Sequence, residues 1–158
     1  MSQLRRGFIL TRHWRDAPEG TEVSFWLATD AGARQLRVPH QDSVAFIPEE
    51  QRPLAEALLR RERDVELRPL ALCDFRHRPV MGLYSRSYRR LLDCARLLRE
   101  AGVDVYESDI RPPERYLMER FITAPVSFSD ASGGDGASID AQLKPAPDYR
   151  PKLRLVSL

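Results

Sequence analysis

The order of apolar runs predicts an α+β chain: an antiparallel β-meander or partial barrel, then a β-α-β-β-α-β unit, then a β-hairpin and a truncated strand. Three observations carry this. Apolar and polar residues alternate through much of the first 42 positions. From Ser43 the spacing switches between periods of 2 and 3.6. Three prolines within residues 145–151 precede a last segment that is apolar on both sides. At 158 residues, 42% apolar and 30% charged, the chain can bury one core or two small ones.

The meander occupies residues 1–42. "GFILTRHWRD" and "TEVSFWLATD" are β-rich runs joined through "APEG", and Val23, Phe25 and Leu27 alternate with Ser24, Trp26 and Ala28. One face of that hairpin is therefore buried. The turn at Asp30–Gly32 leads into "ARQLRVP", where Leu36 and Val38 share a face and Arg34, Gln35 and Arg37 suit a position near an edge.

Residues 43–108 supply the second unit. "SVAFIP" reads as a strand. "EEQRPLAEALLRRE" reads as a helix with Glu49 and Glu50 at its positive end and Pro53 in its first turn. "VELRPLALCDF" and "RPVMGLYS" follow as strands, "SYRRLLDCARLLREAG" as a helix closed by Gly102, and "VDVYES" as the last strand. On the second helix Tyr88, Leu91, Leu92, Ala95 and Leu98 share a face, opposite Arg89, Asp93 and Arg96. This order is the ferredoxin-like arrangement, found in RNA-recognition modules and in small-ligand domains.

Residues 109–144 then read as a short helix opened by Pro112 and Pro113, followed by "APVSFSD" and "ASIDAQLKP" around the glycine-rich tip "ASGGDG". Residues 145–152 read as a linker. Residues 153–158 read as a strand with neighbours on both sides, expected to be disordered or paired with another chain when those neighbours are missing.

The net charge of +2 is too small to argue for a polyanion, but its distribution is uneven. Seven arginines (76, 78, 86, 89, 90, 96, 99) face one aspartate between positions 76 and 99. The balance then reverses over Asp104, Glu107, Asp109, Glu114 and Glu119. Such segregation either makes a solvated face or steers a polyanion. Phosphate contacts need charge and reach, which selects Arg12, Trp14 and Arg15 on the first hairpin and Arg76, Arg78, Arg86, Arg89 and Arg96 around the second helix. Phe46 and Tyr84 are the positions where a ferredoxin-like sheet would stack bases, though Phe46 reads as core.

Catalytic constellations are missing. His13, His40 and His77 are isolated, the glycine-rich tip is not followed by Lys-Ser/Thr, and Asp104 and Glu107 would leave opposite faces of a strand, so no metal site is expected. Cys73 and Cys94 lack ligand spacing and are expected to be buried and inert in a reducing compartment. The N-terminal apolar run is too short for a signal peptide, and no run approaches the roughly 20 apolar residues of a membrane span.

The segments "GFILTRHWRD", "TEVSFWLATD", "SVAFIP", "VYESDIRPPERYLMERFIT" and "LKPAPDYRPKLRLVS" resemble the N-terminal region of the bacterial DNA polymerase II family, within the family B DNA polymerases. The resemblance runs from Gly7 to Ser157; "YESDIRPPERYLMERF" is its most specific tract, and residues 49–68 and 127–140 depart from it. It implies a parent polymerase that extends primers and proofreads with Mg2+, in the bacterial cytoplasm at the nucleoid. In that family an Asp-x-Glu pair follows a segment like "LRLVS", so residues 153–158 are expected to be the first strand of a missing 3′–5′ exonuclease domain. The 158 residues themselves are then expected to be catalytically inert and free of cofactors.

The resemblance further implies a structural role beside the exonuclease domain and along the template path. Tyr106, Glu107, Arg115, Tyr116, Arg120 and Phe121 would be interdomain contacts. Template DNA, held weakly by the isolated fragment, the exonuclease and polymerase domains of the same chain, and the sliding clamp through other parts of that chain would be the partners, with no membrane. Two alternatives stand beside it: an autonomous single-stranded nucleic-acid-binding module and a ferredoxin-like small-ligand regulatory domain.

Overall fold

Alternation in the first 41 residues produces three long strands, β1 (Leu4–Ala17), β2 (Gly20–Thr29) and β3 (Gly32–Gln41). The computed structural model describes residues 4–129, 137–139, 142–154 and 156–157. They divide into two units, one comprising Met1–Arg15, Glu22–Pro39 and Pro113–Leu158, the other Asp16–Thr21 and His40–Pro112.

The first unit is built on a six-stranded sheet ordered β8-β3-β2-β1-β7-β9. β7 (Pro125–Ser129) runs antiparallel to β1, with Gly7 opposite Val126, and β9 (Leu143–Pro145) pairs antiparallel with β7. The expected hairpin therefore exists between β7 and β9. The strand directly after the glycine-rich tip, β8 (Ala137–Ile139), joins the far edge instead, parallel to β3. The tip, residues 131–136, lies outside the described residues.

The inward positions of the meander are those the alternation assigns: Val23, Phe25, Leu27 and Leu36 are fully buried, and Val38 nearly so. Val126 and Phe128 of β7 join them, as do Tyr116 and Leu117 of α3 (Pro112–Glu119). Each such side chain contributes roughly 1.5–3 kcal/mol of burial free energy. The Phe25 and Tyr116 rings lie 5.7 Å apart, centroid to centroid. Residues 146–149, within the expected linker, are held to this unit. Ala146 N–H donates to the Pro125 carbonyl, and the buried Tyr149 donates its hydroxyl to Asp30. No strand is assigned to the described residues between 151 and 157.

The second unit has a three-stranded antiparallel sheet ordered β4 (Ser43–Pro48), β6 (Pro79–Ser85), β5 (Val65–Cys73). A one-turn 3₁₀ helix at Glu49–Gln51 runs into α1 (Arg52–Leu59), and α2 spans Tyr88–Glu100. α2 packs on β4 and β6. Ala45, Ile47, Met81 and Leu83 are fully buried with Leu91, Ala95 and Leu98.

The ferredoxin-like order is present, with its last strand reduced to one antiparallel bridge between Phe46 and Tyr106. Two features stop that ladder from extending. Asp104 N–H donates to the Gln51 side chain, and Glu107 adopts a left-handed φ of 57° that turns the chain. β5 is an edge strand, and its irregularity between Pro69 and Cys73 fits the missing N–H of Pro69. That irregular strand corrects one expectation: Cys73 is exposed, while Cys94 on α2 is buried and its thiol pushed up to about 11 by that burial.

Candidate nucleic-acid interface

In the first unit, the arginines selected from sequence are tied to carboxylates. Arg12 pairs with Glu114 at 3.1 Å and Arg15 with Glu22 at 3.0 Å. Glu22 also takes Arg37 at 2.7 Å. Although burial pushes the Glu22 carboxyl up, its hydrogen bonds from Arg37 and Arg15 outweigh that and hold it below its usual value. Trp14 is half-buried against the core formed by Val23, Phe25 and their neighbours.

In the second unit the turn between β5 and β6 is organised by Asp74. Its Oδ1 accepts the N–H groups of Arg76 at 2.8 Å and Arg78 at 3.0 Å, an Asx-type turn in which His77 takes a φ of 59°. Its Oδ2 accepts from Arg78 Nε at 2.8 Å. The same guanidinium donates to Glu50 at 2.7 Å and to the Tyr106 hydroxyl at 2.7 Å, with Asp104 at 3.4 Å. These bonds, that to Asp74 first, raise the already high pKa of Arg78 further. Arg78 is thus a structural cross-link between the 74–78 turn, the 3₁₀ turn and the 104–106 segment. Tyr106 is part of that cross-link, its hydroxyl pKa raised by burial above all.

Arg76, Arg86 and Arg89 are different. All three are exposed, and among the described residues their guanidinium groups have no ion pair or hydrogen bond. Arg86 and Arg89 flank the start of α2, where Ser87 is the N-cap and accepts from Arg90 N–H at 3.2 Å. Asp16 completes that end. It accepts from Tyr88 N–H at 2.9 Å, Arg89 N–H at 3.0 Å, Thr21 Oγ1 at 2.8 Å and Ser87 Oγ at 2.9 Å. Burial pushes its carboxyl up, but those hydrogen bonds hold it below the usual value. The positive end of α2 is consequently occupied by Asp16. Arg96 lies farther along α2, 3.9 Å from Asp93.

Three exposed arginines escaped the sequence reading. The helix expected over 49–62 ends at Leu59, so Arg60 and Arg61 lie beyond it with Arg63, and among the described residues none of the three has a side-chain partner. Their signal was the run "RRERD" itself, of which the expected helix took in Arg60 and Arg61.

The sheet face opposite α2 is open and mixed in character. The Tyr84 ring lies over Gly82, where a Cβ would come within 2.3 Å of it, and the Arg68 guanidinium sits 4.4 Å from the ring centroid. A cavity of about 810 Å³ borders Tyr84 and is lined by Glu19, Asp42, Asp64 and Glu66 as well as Arg68 and Arg86. A second, of about 630 Å³, is bordered by Phe46, Leu72, Phe75 and Tyr106. Phe46 itself is half-buried.

Of the residues expected at domain contacts, Tyr116 is buried in the first unit's core, with the Arg120 guanidinium 3.7 Å above its ring, and Arg115 is half-buried on the same helix. Phe121, at a left-handed φ of 55°, is 87% exposed, and Glu107 is exposed in the second unit. Among the described residues no group of three or more His, Cys, Asp or Glu is placed to hold a metal ion, and no helix is long and apolar enough to cross a membrane.

Two family models match in succession: "DNA polymerase II, N-terminal" over residues 7–42 and "DNA polymerase II, insertion domain" over residues 43–103. The chain is 58% identical over 152 residues to DNA polymerase II of Escherichia coli (strain K12), covering 96% of this chain and 19% of that protein. It therefore spans about one fifth of the length of the relative it matches. The solved structure of the family B DNA polymerase from the hyperthermophilic archaeon Pyrobaculum calidifontis superposes with a TM-score of 0.71 at 17% identity, over 94% of this chain and 21% of that one. At that identity the likeness is one of fold.

Proposed function

The chain belongs to the DNA polymerase II family, as an N-terminal region of a family B DNA polymerase, and from that premise we propose that it guides the template strand beside a 3′–5′ exonuclease domain without itself performing chemistry. One observation carries the reading: in the second unit the exposed guanidinium groups of Arg76, Arg86 and Arg89 have no carboxylate partner among the described residues. A strand held by its phosphates needs such free cations, and positioning without base readout is what a template path requires. Arg96, held only loosely by Asp93, supplements them.

Extension and proofreading, with their Mg2+, fall in this reading to other parts of a parent chain in the bacterial cytoplasm, at the nucleoid. Among the described residues no cluster of His, Cys, Asp and Glu is placed to hold a magnesium ion. Template DNA and the other domains of that chain are the partners, with the sliding clamp engaged elsewhere. Phe121, exposed near the exposed Met118, suits an interdomain contact.

The test is a comparison in a polymerase carrying this region. Replacing Arg76, Arg86 and Arg89 together by Gln should lower primer extension or processivity severalfold while the melting temperature stays within a degree or two, because unpaired surface charges carry little stability. Unchanged extension, or a loss of stability that accounts for the defect, would return these residues to an ordinary solvated face.

A further inference from the structure

We propose that Arg60, Arg61 and Arg63, together with Arg86, Arg89 and Arg90, form one surface of the second unit that binds the sugar-phosphate backbone of single-stranded DNA irrespective of sequence. The proposal rests on the template-guiding reading and says which surface does the holding.

Placement comes first. Val65 of β5 pairs with Ser85 of β6, so residues 60–64 and 86–90 lie at the same end of the sheet. Glu62 pairs with Arg90 at 3.0 Å, which joins the segment after α1 to the first turn of α2. Among the described residues five of the six arginines have no side-chain partner, whereas elsewhere in this unit Arg52, Arg68 and Arg78 are each paired with a carboxylate at 2.6–2.8 Å. Among the described residues of this unit, five such cations gather at one end, while Arg76 on the far turn and Arg111 just before α3 stand apart from them.

Local causes do not account for the cluster. A cation after the last turn of α1 complements its carbonyl end, but that effect is confined to one helix terminus. Here a second element contributes Arg86 and Arg89, and Asp16 already occupies the positive end of that second helix. The chemistry fits phosphate rather than bases: guanidinium groups offer fork-shaped donors matched to phosphate oxygens, and no exposed aromatic is interleaved with them. Arg86 borders the 810 Å³ cavity, and beyond it the cavity's carboxylates Glu19, Asp42, Asp64 and Glu66 disfavour phosphate on the open sheet face. A strand is therefore directed over the helical side.

The experiment measures fluorescence anisotropy of the 158-residue chain with a labelled oligothymidylate at salt concentrations from about 50 to 200 mM. Removing three phosphate contacts in the triple variant Arg60→Gln/Arg61→Gln/Arg63→Gln should reduce the slope of log K against log salt by about 2 and weaken low-salt binding by roughly tenfold or more. The variant Arg52→Gln, which removes a paired arginine at the other end of α1, should bind as the parent does. A triple variant that binds like the parent, or an Arg52→Gln variant that loses as much, overturns the proposal. In those cases the template-guiding reading survives, whereas no binding by the parent chain at any salt overturns both. A poly-glutamate peptide bound by the parent and lost in the triple variant, with DNA binding intact, would assign the patch to an acidic protein partner and likewise overturn it.

Discussion

Asp16 shows how much one side chain can organise. It takes two backbone N–H groups at the start of α2 and two hydroxyls, Thr21 and Ser87. A cap of this kind is worth about 1 kcal/mol, so Asp16→Ala should destabilise the chain by about 1–2 kcal/mol, read by urea or thermal unfolding. The pH dependence has a definite sign. The folded-state pKa of Asp16 is lowered, so its charge-dependent contribution is fully present above the unfolded value near 4 and is lost as pH falls through the lower folded value. The stability gap between the parent and Asp16→Asn should therefore be flat above about pH 5 and shrink in more acidic solution. A gap that is constant down to about pH 2 would show that the ionised carboxylate is not what caps the helix. Sequence could not expose this role, because Asp16 lies 71 residues before Ser87.

At the scale of an element, the three-stranded sheet is the informative case. Its helix-covered face follows from alternation alone, with Ala45, Ile47, Met81 and Leu83 fully buried. Its open face depends on a single glycine. At Gly82 a Cβ would meet the Tyr84 ring at 2.3 Å, so Gly82→Ala must swing that ring away and break its stack under Arg68. We expect a loss of about 1–3 kcal/mol for Gly82→Ala, and a smaller loss for the same change on a Tyr84→Ala background. Additive losses in the double-mutant cycle would mean that backbone effects, rather than the ring, require glycine there. The ferredoxin-like order of elements was legible from the alternation of periods. The reduction of its last strand to the Phe46–Tyr106 bridge was not, because it arises from a side-chain hydrogen bond of Gln51 and the left-handed turn at Glu107. The parallel pairing of β8 with β3 was equally hidden, since partner choice between strands far apart in sequence leaves no local signal.

For the whole molecule, a net charge of +2 gives no strong long-range field, so nucleic-acid affinity has to come from a local cluster. We expect the 158-residue chain to bind single-stranded DNA with a Kd around or above 10⁻⁵ M at physiological salt, as non-specific contacts do. Nanomolar binding in an anisotropy titration would favour an autonomous single-strand-binding module instead.

The division between what is local and what is spatial runs through the entire chain. By itself the sequence determined the order of most elements and the inward faces of the meander and of α2, because side-chain direction along a strand or helix repeats every 2 or 3.6 residues whatever surrounds it. It also carried the family in tracts such as "YESDIRPPERYLMERF". Which arginines are free to meet a phosphate was decided only by the tertiary structure. Arg78 looked like a phosphate ligand and is taken up by Asp74, Glu50 and Tyr106, while Arg60 and Arg61 looked like part of a helix and, among the described residues, stand free beyond its end. Ion pairing acts through space over a few ångströms, and Glu50 lies 28 residues from the arginine it neutralises.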